Sequence, residues 1–459
     1  MRGEGTRRLQ YILSDYITTN IGWLVFNVVR YLSLPPVNEV STMSNFLLHD
    51  TNILLGQLLF PIMMVVLYAL SGFYNRPGVK SRIDQLGNTI GVSLIGMLLI
   101  FFTALINDDV PERLRNYELM AILWALLSGP VLIGRALINN IRRGELRRGI
   151  GVFNALLLGN NKAARALAER IERHPHCSEF RVVSFIDPKA SPQAIAAEAS
   201  RLDASVIIIG NGASVESNRP LFNSLLLTGL DIYVPADNYR LAGNSPSIRS
   251  VVSEPLINIT AANISPATAN LKRVGDIFVS AIALVLLLPF FAVIAIAIKS
   301  DSRGSVFYTQ ERIGRHCKPF KIIKFRTMVA DAEAAGPALS STNDPRITAV
   351  GRFLRKYRID ELPQFWNVLR GDMSLVGPRP ERQFYEDQII NIAPHYILLH
   401  QVRPGITSWG MVKYGYAGSV DQMVERLRYD ILYLENVSLS VDLKILFYTV
   451  RTVVTGQGI

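Results

Sequence analysis

The chain has 459 residues, of which 49% are hydrophobic and 19% are charged, and its formal net charge is +11. Soluble domains carry about 25% charged residues, so this composition excludes an ordinary soluble protein and predicts a membrane protein with a substantial soluble part. Cys177 and Cys317 are the only cysteines, which excludes a disulfide framework and favours a reducing compartment. The basic excess indicates an acidic partner, for which anionic lipid, nucleotide phosphate and nucleic acid are all candidates.

The first third of the chain predicts a four-helix transmembrane bundle over residues 1–149. Each of four apolar runs there is close to the roughly 20 residues that cross a hydrocarbon core, namely Leu9–Leu32, Ile53–Tyr74, Thr89–Ile106 and Leu119–Ile138. Basic residues precede the first run, separate the second from the third and, beginning with Arg135, mark the end of the fourth, whereas the 33–52 loop has no Lys or Arg. Basic loops are typically cytoplasmic, so both ends of the bundle are expected to face the cytoplasm.

A fifth apolar run, Ile277–Ile298, has basic residues on both flanks. If it crossed the membrane, the strongly basic segment behind it would lie outside the cytoplasm, against the usual distribution of charge. Pro289 removes a backbone hydrogen bond near the middle of the run and can break a helix, and each resulting arm would reach only about 14 to 18 Å. These features favour a re-entrant helix–break–helix over residues 276–299, with an ordinary kinked span as the alternative.

Residues 150–265 are expected to form a Rossmann-like α/β domain, because four strand-like runs alternate with helical patterns. The turn after the first strand has Gly159 but lacks the second and third glycines of a dinucleotide fingerprint. Lys162 is placed to meet an anion at the start of the next helix, and Asp187 stands at a strand end. A structural or regulatory domain without bound NAD is nevertheless favoured.

The last third concentrates basic residues and stiff turns. Lys324 and Arg326 alternate with apolar residues soon after the fifth run, where a cationic strip would lie on lipid headgroups or hold phosphates. Arg379 stands between two prolines, in a stiff turn that suits a bidentate grip on phosphate. A second stiff basic turn follows at residues 402–407.

Asp360 and Glu361 form an acidic pair within this basic segment, shortly before Pro363. One interpretation is structural, because such a pair can cap and charge the start of a helix. The other is chemical: one carboxylate attacks phosphorus, and the other coordinates Mg²⁺ together with the pyrophosphate of a substrate. The arginines of the same segment and the predicted re-entrant helix before it favour the chemical interpretation.

The motifs of the last third resemble, in kind and in order, those of the bacterial polyprenyl-phosphate hexose-1-phosphate transferases, the monotopic phosphoglycosyl transferase superfamily. They are Ile277–Ile298 with Pro289, Lys324-Phe-Arg326, Asp344-Pro-Arg346, Ile359-Asp360-Glu361-Leu-Pro-Gln364, Gly377-Pro378-Arg379-Pro380 and Arg403-Pro-Gly-Ile-Thr407. The resemblance implies a mainly α-helical catalytic domain over residues 266–459, and its long form adds four transmembrane helices and a Rossmann-like domain in front. One departure is Leu288, because related enzymes often have serine before the proline of the re-entrant helix.

The resemblance also implies a reaction and the residues that perform it. Such enzymes transfer a sugar-1-phosphate from a UDP-sugar to undecaprenyl phosphate and release UMP, which starts the synthesis of exopolysaccharide, capsule or O-antigen. Asp360 would be the nucleophile, through a covalent phosphosugar intermediate, and Glu361 would bind Mg²⁺. The residues that would hold phosphate groups are Lys324, Arg326, Arg355 and Arg379.

By the same resemblance, the protein is expected in the bacterial inner membrane, with the catalytic domain on the cytoplasmic face. Glucose is the favoured sugar and galactose the next. A homodimer is compatible with the bundle and the middle domain, which do no evident chemistry. Nucleic acid is not an expected partner, because no nucleic-acid-binding motif is present and lipid and phosphate account for the basic excess.

Two other classes of protein compete with the transferase. A non-enzymatic membrane scaffold or sensor would bind a ligand in the middle domain and lipid through the basic tail. A transporter would need ionisable residues inside several spans, and it is disfavoured because the runs contain almost none apart from Asp15. The cluster of His174, His176 and Cys177 is too short to complete a zinc site alone.

Overall fold

The computed structural model describes residues 4–33, 42–75, 82–105, 113–150, 152–173, 180–210, 225, 226, 228, 230–235, 256–260, 264–329, 332 and 344–454. Along these ranges the chain forms an N-terminal helical bundle and then a central α/β sheet. One long apolar helix follows and leads into a C-terminal part of helices and short strands.

Long helices make up the N-terminal bundle: α1 (Glu4–Ser33), α3 (Thr51–Leu70), α4 (Arg82–Ile100) and α5 (Arg113–Arg147), with the short α2 (Met43–Leu48) before α3. α1 lies along both α3 and α5. Trp23 and Phe26 of α1 stack with ring centroids 5.5 Å apart, and they pack against Leu123 and Leu127 of α5. This aromatic and aliphatic cluster forms one core of the bundle.

Among the described residues, four helices are long and apolar enough to cross a membrane: Thr51–Leu70, Ile83–Leu105, Arg115–Leu146 and Pro266–Asp301. The first three contain most of the second, third and fourth predicted runs. α1, which contains the first predicted run, is outside this set. Its sequence has polar side chains at positions that are buried in the bundle, namely Asp15, Thr19 and Asn27.

Asp15 has a partner that its sequence context did not indicate. Arg135 of α5 donates from Nε to Asp15 Oδ1 at 3.0 Å and from Nη1 to Thr89 Oγ1 at 2.6 Å, and it lies against the rings of Tyr68 and Phe73. Asp15 and Arg135 are 0% and 1% exposed. The interpretation of Arg135 as a charge that marks the end of the fourth span is therefore wrong, because its charge is compensated inside the bundle.

The central sheet has five strands: β1 (Phe153–Leu158), β2 (Phe180–Ile186), β3 (Ala204–Ile209), β4 (Asp231–Pro235) and β5 (Leu256–Asn258). Their order is β2-β1-β3-β4-β5, and only β5 runs antiparallel to its neighbour. α6 (Lys162–Arg173) covers one face and α7 (Pro192–Arg201) covers the other. The expected alternation of strands and helices around a parallel sheet is confirmed, but this order differs from the Rossmann order 3-2-1-4-5-6.

The single glycine of the turn after β1 has a backbone conformation that favours glycine. Gly159 has a φ of 100°, and its N–H donates to the carbonyl of Ile186 at 2.8 Å. Asn161 Oδ1 accepts from the N–H of Ala164 at 2.8 Å, so the chain itself caps the start of α6, at which Lys162 stands. The Asp187 carboxylate accepts from a backbone N–H two residues on.

The long apolar helix, α8 (Pro266–Asp301), is continuous over 36 residues. It continues through Pro289, so the predicted interruption into two separate helical arms is wrong. Proline removes one donor and bends a helix, but in apolar surroundings the other backbone groups have no partner except the helix itself. The middle of α8 is an exposed apolar surface, with Val285 74% exposed.

Helices dominate the C-terminal part: α9 (Ala349–Lys356), α10 (Gln364–Arg370), α11 (Gln383–Ile392), α12 (Trp409–Lys413), α13 (Val420–Glu435) and α14 (Leu439–Val454). β6 (Phe307–Ile313) and β7 (Pro319–Phe325) form an antiparallel hairpin, and β8 (Ser374–Val376) pairs with β9 (Gly405–Thr407) in parallel. The two pairs meet α10 and α14 around an apolar core that includes Val368, Val376 and Ile445.

Both ends of α8 are attached to this C-terminal part. Near its start, Arg273 Nη1 donates to the carbonyl of Val368 in α10 at 2.6 Å. At its end, Asp301 Oδ2 accepts from the N–H of Val350 in α9 at 2.9 Å. The exposed apolar middle of α8 therefore lies between two anchors on the same group of elements.

Candidate active site

The acidic pair lies in a 3₁₀ turn, Ile359–Glu361, between α9 and α10. Arg358, which starts the turn, has a left-handed backbone with a φ of 52°, a conformation that is strained for an ordinary side chain. Ile359 packs against the apolar cluster of Ile298, Phe325 and Leu354. The turn is therefore held against β7, α9 and the end of α8.

The structural interpretation of the pair, as the cap of a helix, is wrong. α10 begins at Gln364 behind Pro363, and within the described range 344–454 no side chain caps its start. Asp360 and Glu361 are both buried. Buried carboxylates are costly unless they are compensated, and basic side chains from three segments supply the compensation.

Glu361 is surrounded by three cationic groups. Nζ of Lys324 lies 2.7 Å from Glu361 Oε1, Nη2 of Arg379 lies 3.1 Å from the same oxygen, and Nη1 of Arg358 lies 3.5 Å from Oε2. Burial opposes ionisation of Glu361, but these cations hold its pKa well below its usual range. Glu361 is thus a carboxylate at neutral pH.

The pKa of Asp360 is shifted in the opposite direction. Burial and, next, the negative charge of Glu361 raise the pKa of Asp360 from 3.8 to about 6, against the opposing charges of Lys324, Arg355 and Arg379. One environment therefore separates the proton affinities of two adjacent carboxyl groups. Such a separation is how neighbouring acids acquire different chemical roles.

Arg379 approaches Glu361 from the stiff turn at residues 377–380. A Cβ on Gly377 would overlap the carbonyl of Arg403, so glycine is needed where this turn meets the turn at residues 402–407. Burial lowers the pKa of Arg379, but Glu361 and Glu381 more than offset this and raise it above its usual value. Arg379 is therefore a permanent cation in a fixed position.

Arg355 and Arg326 are not equivalent. Arg355 donates from Nε to Thr327 Oγ1 at 2.9 Å, and its charge acts on Asp360. Arg326 instead donates from Nη2 to the carbonyl and the hydroxyl of Ser302, at 2.6 and 2.9 Å, beyond the end of α8. Of the predicted site residues, the structure brings together Asp360, Glu361, Lys324, Arg355 and Arg379, whereas the guanidinium of Arg326 faces α8.

Two of the predicted motifs, Asp344-Pro-Arg346 and the turn at residues 402–407, stabilise loops. Arg346 Nε donates to Asp344 Oδ1 at 2.9 Å, and this hydrogen bond lowers the pKa of Asp344 to about 2. Arg403 donates from Nε to the carbonyl of Gly371 at 3.0 Å. These contacts fix the backbone around the site and do not involve the acidic pair.

Sequence reasoning missed Arg358 and Glu381. Glu381 is buried between Arg312 and Arg426, with nitrogen to oxygen distances of 3.1 and 2.8 Å, and it stabilises the turn that carries Arg379. Its position directly after the Pro-Arg-Pro motif could have identified Glu381 as a residue of the site. The left-handed backbone that turns Arg358 toward Glu361 had no signal in the sequence.

Among the described residues there is no group of three or more His, Cys, Asp or Glu side chains that could hold a metal ion. Mg²⁺ does not need one, because it is commonly bound by one or two carboxylates together with substrate phosphates and water. Glu361 is ionised and buried beside Asp360, so this donor set fits an ion that a phosphorylated substrate completes. The cluster of His174, His176 and Cys177 lies outside the described residues.

Comparison with known proteins defines the class. The family model described as bacterial sugar transferase matches residues 267–456. Over 446 residues the chain is 30% identical to the UDP-glucose:undecaprenyl-phosphate glucose-1-phosphate transferase of Escherichia coli (strain K12), and the alignment covers 92% of each protein. The chain belongs to the bacterial sugar transferase family, and it is an enzyme of the transferase class.

Two other relatives match a smaller share of the chain. It is 44% identical over 194 residues to the UDP-N-acetylgalactosamine-undecaprenyl-phosphate N-acetylgalactosaminephosphotransferase of Aeromonas hydrophila, covering 42% of this chain and 46% of that protein. It is 40% identical over 200 residues to the exopolysaccharide production protein PSS of Rhizobium leguminosarum bv. phaseoli, covering 41% of this chain and 98% of that protein. The match thus spans less than half of the first relative and nearly all of the second.

Proposed function

We propose that this protein transfers a sugar-1-phosphate from a UDP-sugar to undecaprenyl phosphate and releases UMP. The observation that carries the proposal is the convergence of Lys324 and Arg379 on Glu361, directly beside the buried Asp360. Fixed cations of this kind bind phosphate, and the adjacent carboxylate is a nucleophile. The family match and the names of the relatives supply the classes of donor and acceptor.

In the first step an oxygen of Asp360 attacks the sugar-linked phosphorus of the donor. A bond forms between that oxygen and phosphorus, the bond from phosphorus to the bridging oxygen breaks, and UMP leaves with the electron pair. The product is a covalent phosphosugar on Asp360. Charge that develops on the phosphate oxygens is offset by Lys324, Arg355 and Arg379.

In the second step a phosphate oxygen of undecaprenyl phosphate attacks the same phosphorus. The bond to Asp360 breaks, its electron pair restores the carboxylate, and the sugar leaves as a lipid-linked diphosphate. Two half-reactions that share one covalent intermediate give ping-pong kinetics. They can therefore be measured separately.

Mg²⁺ is the proposed cofactor, and Glu361 is the residue that would hold it. When bound, such an ion neutralises charge on the pyrophosphate of the donor. Lys324 and Arg379, which share one oxygen of Glu361, are both long enough to contact phosphate oxygens beside it.

The proposal places the C-terminal part on the cytoplasmic face of the bacterial inner membrane, since UDP-sugars are cytosolic, with α8 entering and leaving the bilayer on one side. Arg273 and Asp301 attach the two ends of α8 to α10 and α9. Between the anchors, the middle of α8 is exposed at Val285, and Pro289 lies inside the helix. Because proline removes a backbone hydrogen bond and bends a helix, a bend at Pro289 is part of the proposed re-entrant course.

Glucose is the sugar we propose first, because the relative that matches over 92% of the chain is named for it. N-acetylgalactosamine is the next to test, since it appears in the name of the relative from Aeromonas hydrophila, and galactose stays a prediction from the resemblance. Exopolysaccharide, capsule or O-antigen synthesis is the proposed context. The homodimer also stays a prediction.

The decisive experiment measures UMP release by the detergent-purified protein with Mg²⁺, undecaprenyl phosphate and a panel of UDP-sugars. We expect UMP with one sugar, and we expect Asp360→Asn to lower the rate at least about 1,000-fold, because covalent catalysis is lost. Glu361→Gln should lower the rate strongly and raise the Mg²⁺ concentration that is required. Asp372→Asn, an acidic residue in the loop after α10, is the matched control and should retain activity.

If Asp360→Asn still releases UMP, the proposed transferase activity would stand, but the assignment of Asp360 as the nucleophile would be refuted. No UMP with any sugar, from protein that unfolds cooperatively, would instead favour the scaffold or sensor. In that case Asp360→Asn would leave the phenotype of a producing cell unchanged, whereas deletion of residues 150–255 would abolish it.

A further inference from the structure

A buried histidine and a buried glutamate lie behind the turn that carries Arg379. His400 is 8% exposed and Glu386 is 2% exposed. His400 belongs to the 3₁₀ helix Pro394–Gln401, and Glu386 belongs to α11. The two side chains line a small cavity whose other walls include Gly314, Pro378, Arg379 and Pro380. The chemistry proposed above gives neither of them a role.

The geometry of His400 requires one proton between the two side chains. Nδ1 lies 3.1 Å from the carbonyl oxygen of Gly314, and because a carbonyl only accepts, Nδ1 carries the hydrogen. Nε2 lies 3.2 Å from Oε2 of Glu386, an ion-pair distance at which the two atoms are not well aligned for a hydrogen bond. If neither atom held a proton, a buried carboxylate would face the lone pair of a neutral imidazole.

His400 is the group that compensates the carboxyl group of Glu386. Among the described residues, Oε1 of Glu386 has no hydrogen-bond partner. Burial raises the pKa of Glu386, His400 opposes this shift, and the negative charges of Glu381 and Asp387 add to it. One proton, on Nε2 or on the carboxyl group, leaves the pair without net charge, and a buried pair without net charge is far less costly than a lone carboxylate.

Hydrogen bonds connect this pair to the turn at residues 377–380. Gly314 accepts from His400, and its neighbour Ile313 donates its N–H to the carbonyl of Glu381 at 3.1 Å, directly behind the turn. On the other side, Glu386 lies in the first turn of α11, which begins two residues after Glu381. The pair therefore closes a ring of contacts behind the turn.

We propose that His400 and Glu386 are positioning residues for Arg379, and that they act by holding one proton between them. The inference rests on the proposed function, in which Arg379 meets the phosphates of the donor. The pair fixes the backbone of the turn, and the prolines on both sides of Arg379 leave that backbone little freedom. The guanidinium is thereby held at the front of the turn, where Nη2 lies 3.1 Å from Oε1 of Glu361.

The test measures the first half-reaction of the full-length protein in detergent. Without lipid, UMP is released as a single burst for each protein molecule, and the rate of this burst is followed over a range of UDP-glucose, or of the UDP-sugar that the panel above selects. The variants are His400→Phe, Glu386→Gln, Arg379→Gln and the double variant His400→Phe/Arg379→Gln. His395→Gln removes an exposed histidine from the same 3₁₀ helix and is the matched control.

Each variant changes one part of the proposed arrangement. His400→Phe keeps a ring against Tyr396, whose ring centroid lies 5.9 Å from that of His400, but it lacks both nitrogens. Glu386→Gln keeps the shape of the side chain, and its amide can donate to Nε2 of a neutral His400, so that an amide hydrogen replaces the shared proton. Arg379→Gln removes the group through which the pair is proposed to act.

We expect His400→Phe to lower the burst rate about 10- to 100-fold, because a small displacement of a group that contacts substrate is costly. It should cause no further loss in the Arg379→Gln background, since a residue that acts only through Arg379 is not additive with its removal. Glu386→Gln should stay within about threefold of the wild type, and His395→Gln should leave the rate unchanged.

An equal fold-loss from His400→Phe in both backgrounds would show a role in the fold alone and overturn the inference. A wild-type rate in His400→Phe overturns it too, as does a loss in Glu386→Gln as large as that in His400→Phe. If His400→Phe does not fold, His400→Gln is judged by the same outcomes. Absence of a burst in the wild type with every UDP-sugar refutes the proposed function itself.

Discussion

At the scale of single residues, the proposed chemistry depends on how burial and neighbouring charge shift the pKa values of two adjacent carboxyl groups. Glu361 has three cationic neighbours, so it stays ionised. Asp360 is buried next to that negative charge and is therefore more basic than an exposed aspartate. A more basic carboxylate is a better nucleophile once it has lost its proton, and the surrounding cations keep the proton affinity from rising further.

The raised pKa of Asp360 predicts a dependence of stability on pH. The folded state binds the proton more tightly than the unfolded state does, so the stabilisation is present below about pH 4 and lost as the pH rises through about 6. Thermal unfolding of metal-free protein should show that the wild type loses stability relative to Asp360→Asn between these pH values. A difference that is constant with pH would contradict the assignment.

At the scale of elements, the bundle is organised around a buried ion pair. Asp15 of α1 and Arg135 of α5 are enclosed, and Tyr74, just beyond α3, donates to Asp15 Oδ2 at 2.7 Å. With Thr89 of α4, which accepts from Arg135, four segments of the bundle are thus held by one polar network in apolar surroundings. Such a network specifies one register among helices whose remaining contacts are largely apolar.

Loss of one partner of this pair should be much more damaging than loss of both. Asp15→Asn or Arg135→Met alone leaves an uncompensated buried charge or an incomplete network, for which about 3–5 kcal/mol is expected. The double variant removes both charges and should recover part of that loss. Thermal unfolding in detergent measures all three proteins. Additive losses in the double variant would show that the two side chains act independently.

At the scale of the whole molecule, the bundle meets the C-terminal part at the start of α8. Asn270 Nδ2 donates to the carbonyl of Ala69 at 2.6 Å, and a Cβ on Gly72 would overlap Pro266. Asp360 lies instead near the other end of α8, because its chain neighbour Ile359 packs against the cluster that contains Ile298. The contact with the bundle is therefore separate from the proposed chemistry, and it joins two units that each have their own core.

This separation predicts that a fragment of residues 264–459 retains the UMP-releasing half-reaction within about tenfold of the full chain, because every residue of the proposed donor site lies within it. The relative from Rhizobium leguminosarum is matched over nearly all of its length by only 41% of this chain, which fits an independent unit. The burst of UMP from purified fragment is the measurement. A folded fragment without a burst would show that the bundle or the central sheet contributes to the site.

The apolar segments, the alternation of strands and helices in the middle, and the local motifs that contain Asp360, Glu361 and Arg379 could all be predicted from the sequence. These features depend on composition and on short-range patterns, which the chain carries whatever its final packing. Four features became visible only in the folded protein: Arg135 is the buried partner of Asp15, α8 continues through Pro289, Arg358 and Glu381 belong to the site, and Arg326 faces α8. Each of these depends on side chains that are far apart in the chain or on a backbone conformation imposed by packing, and no local pattern records either.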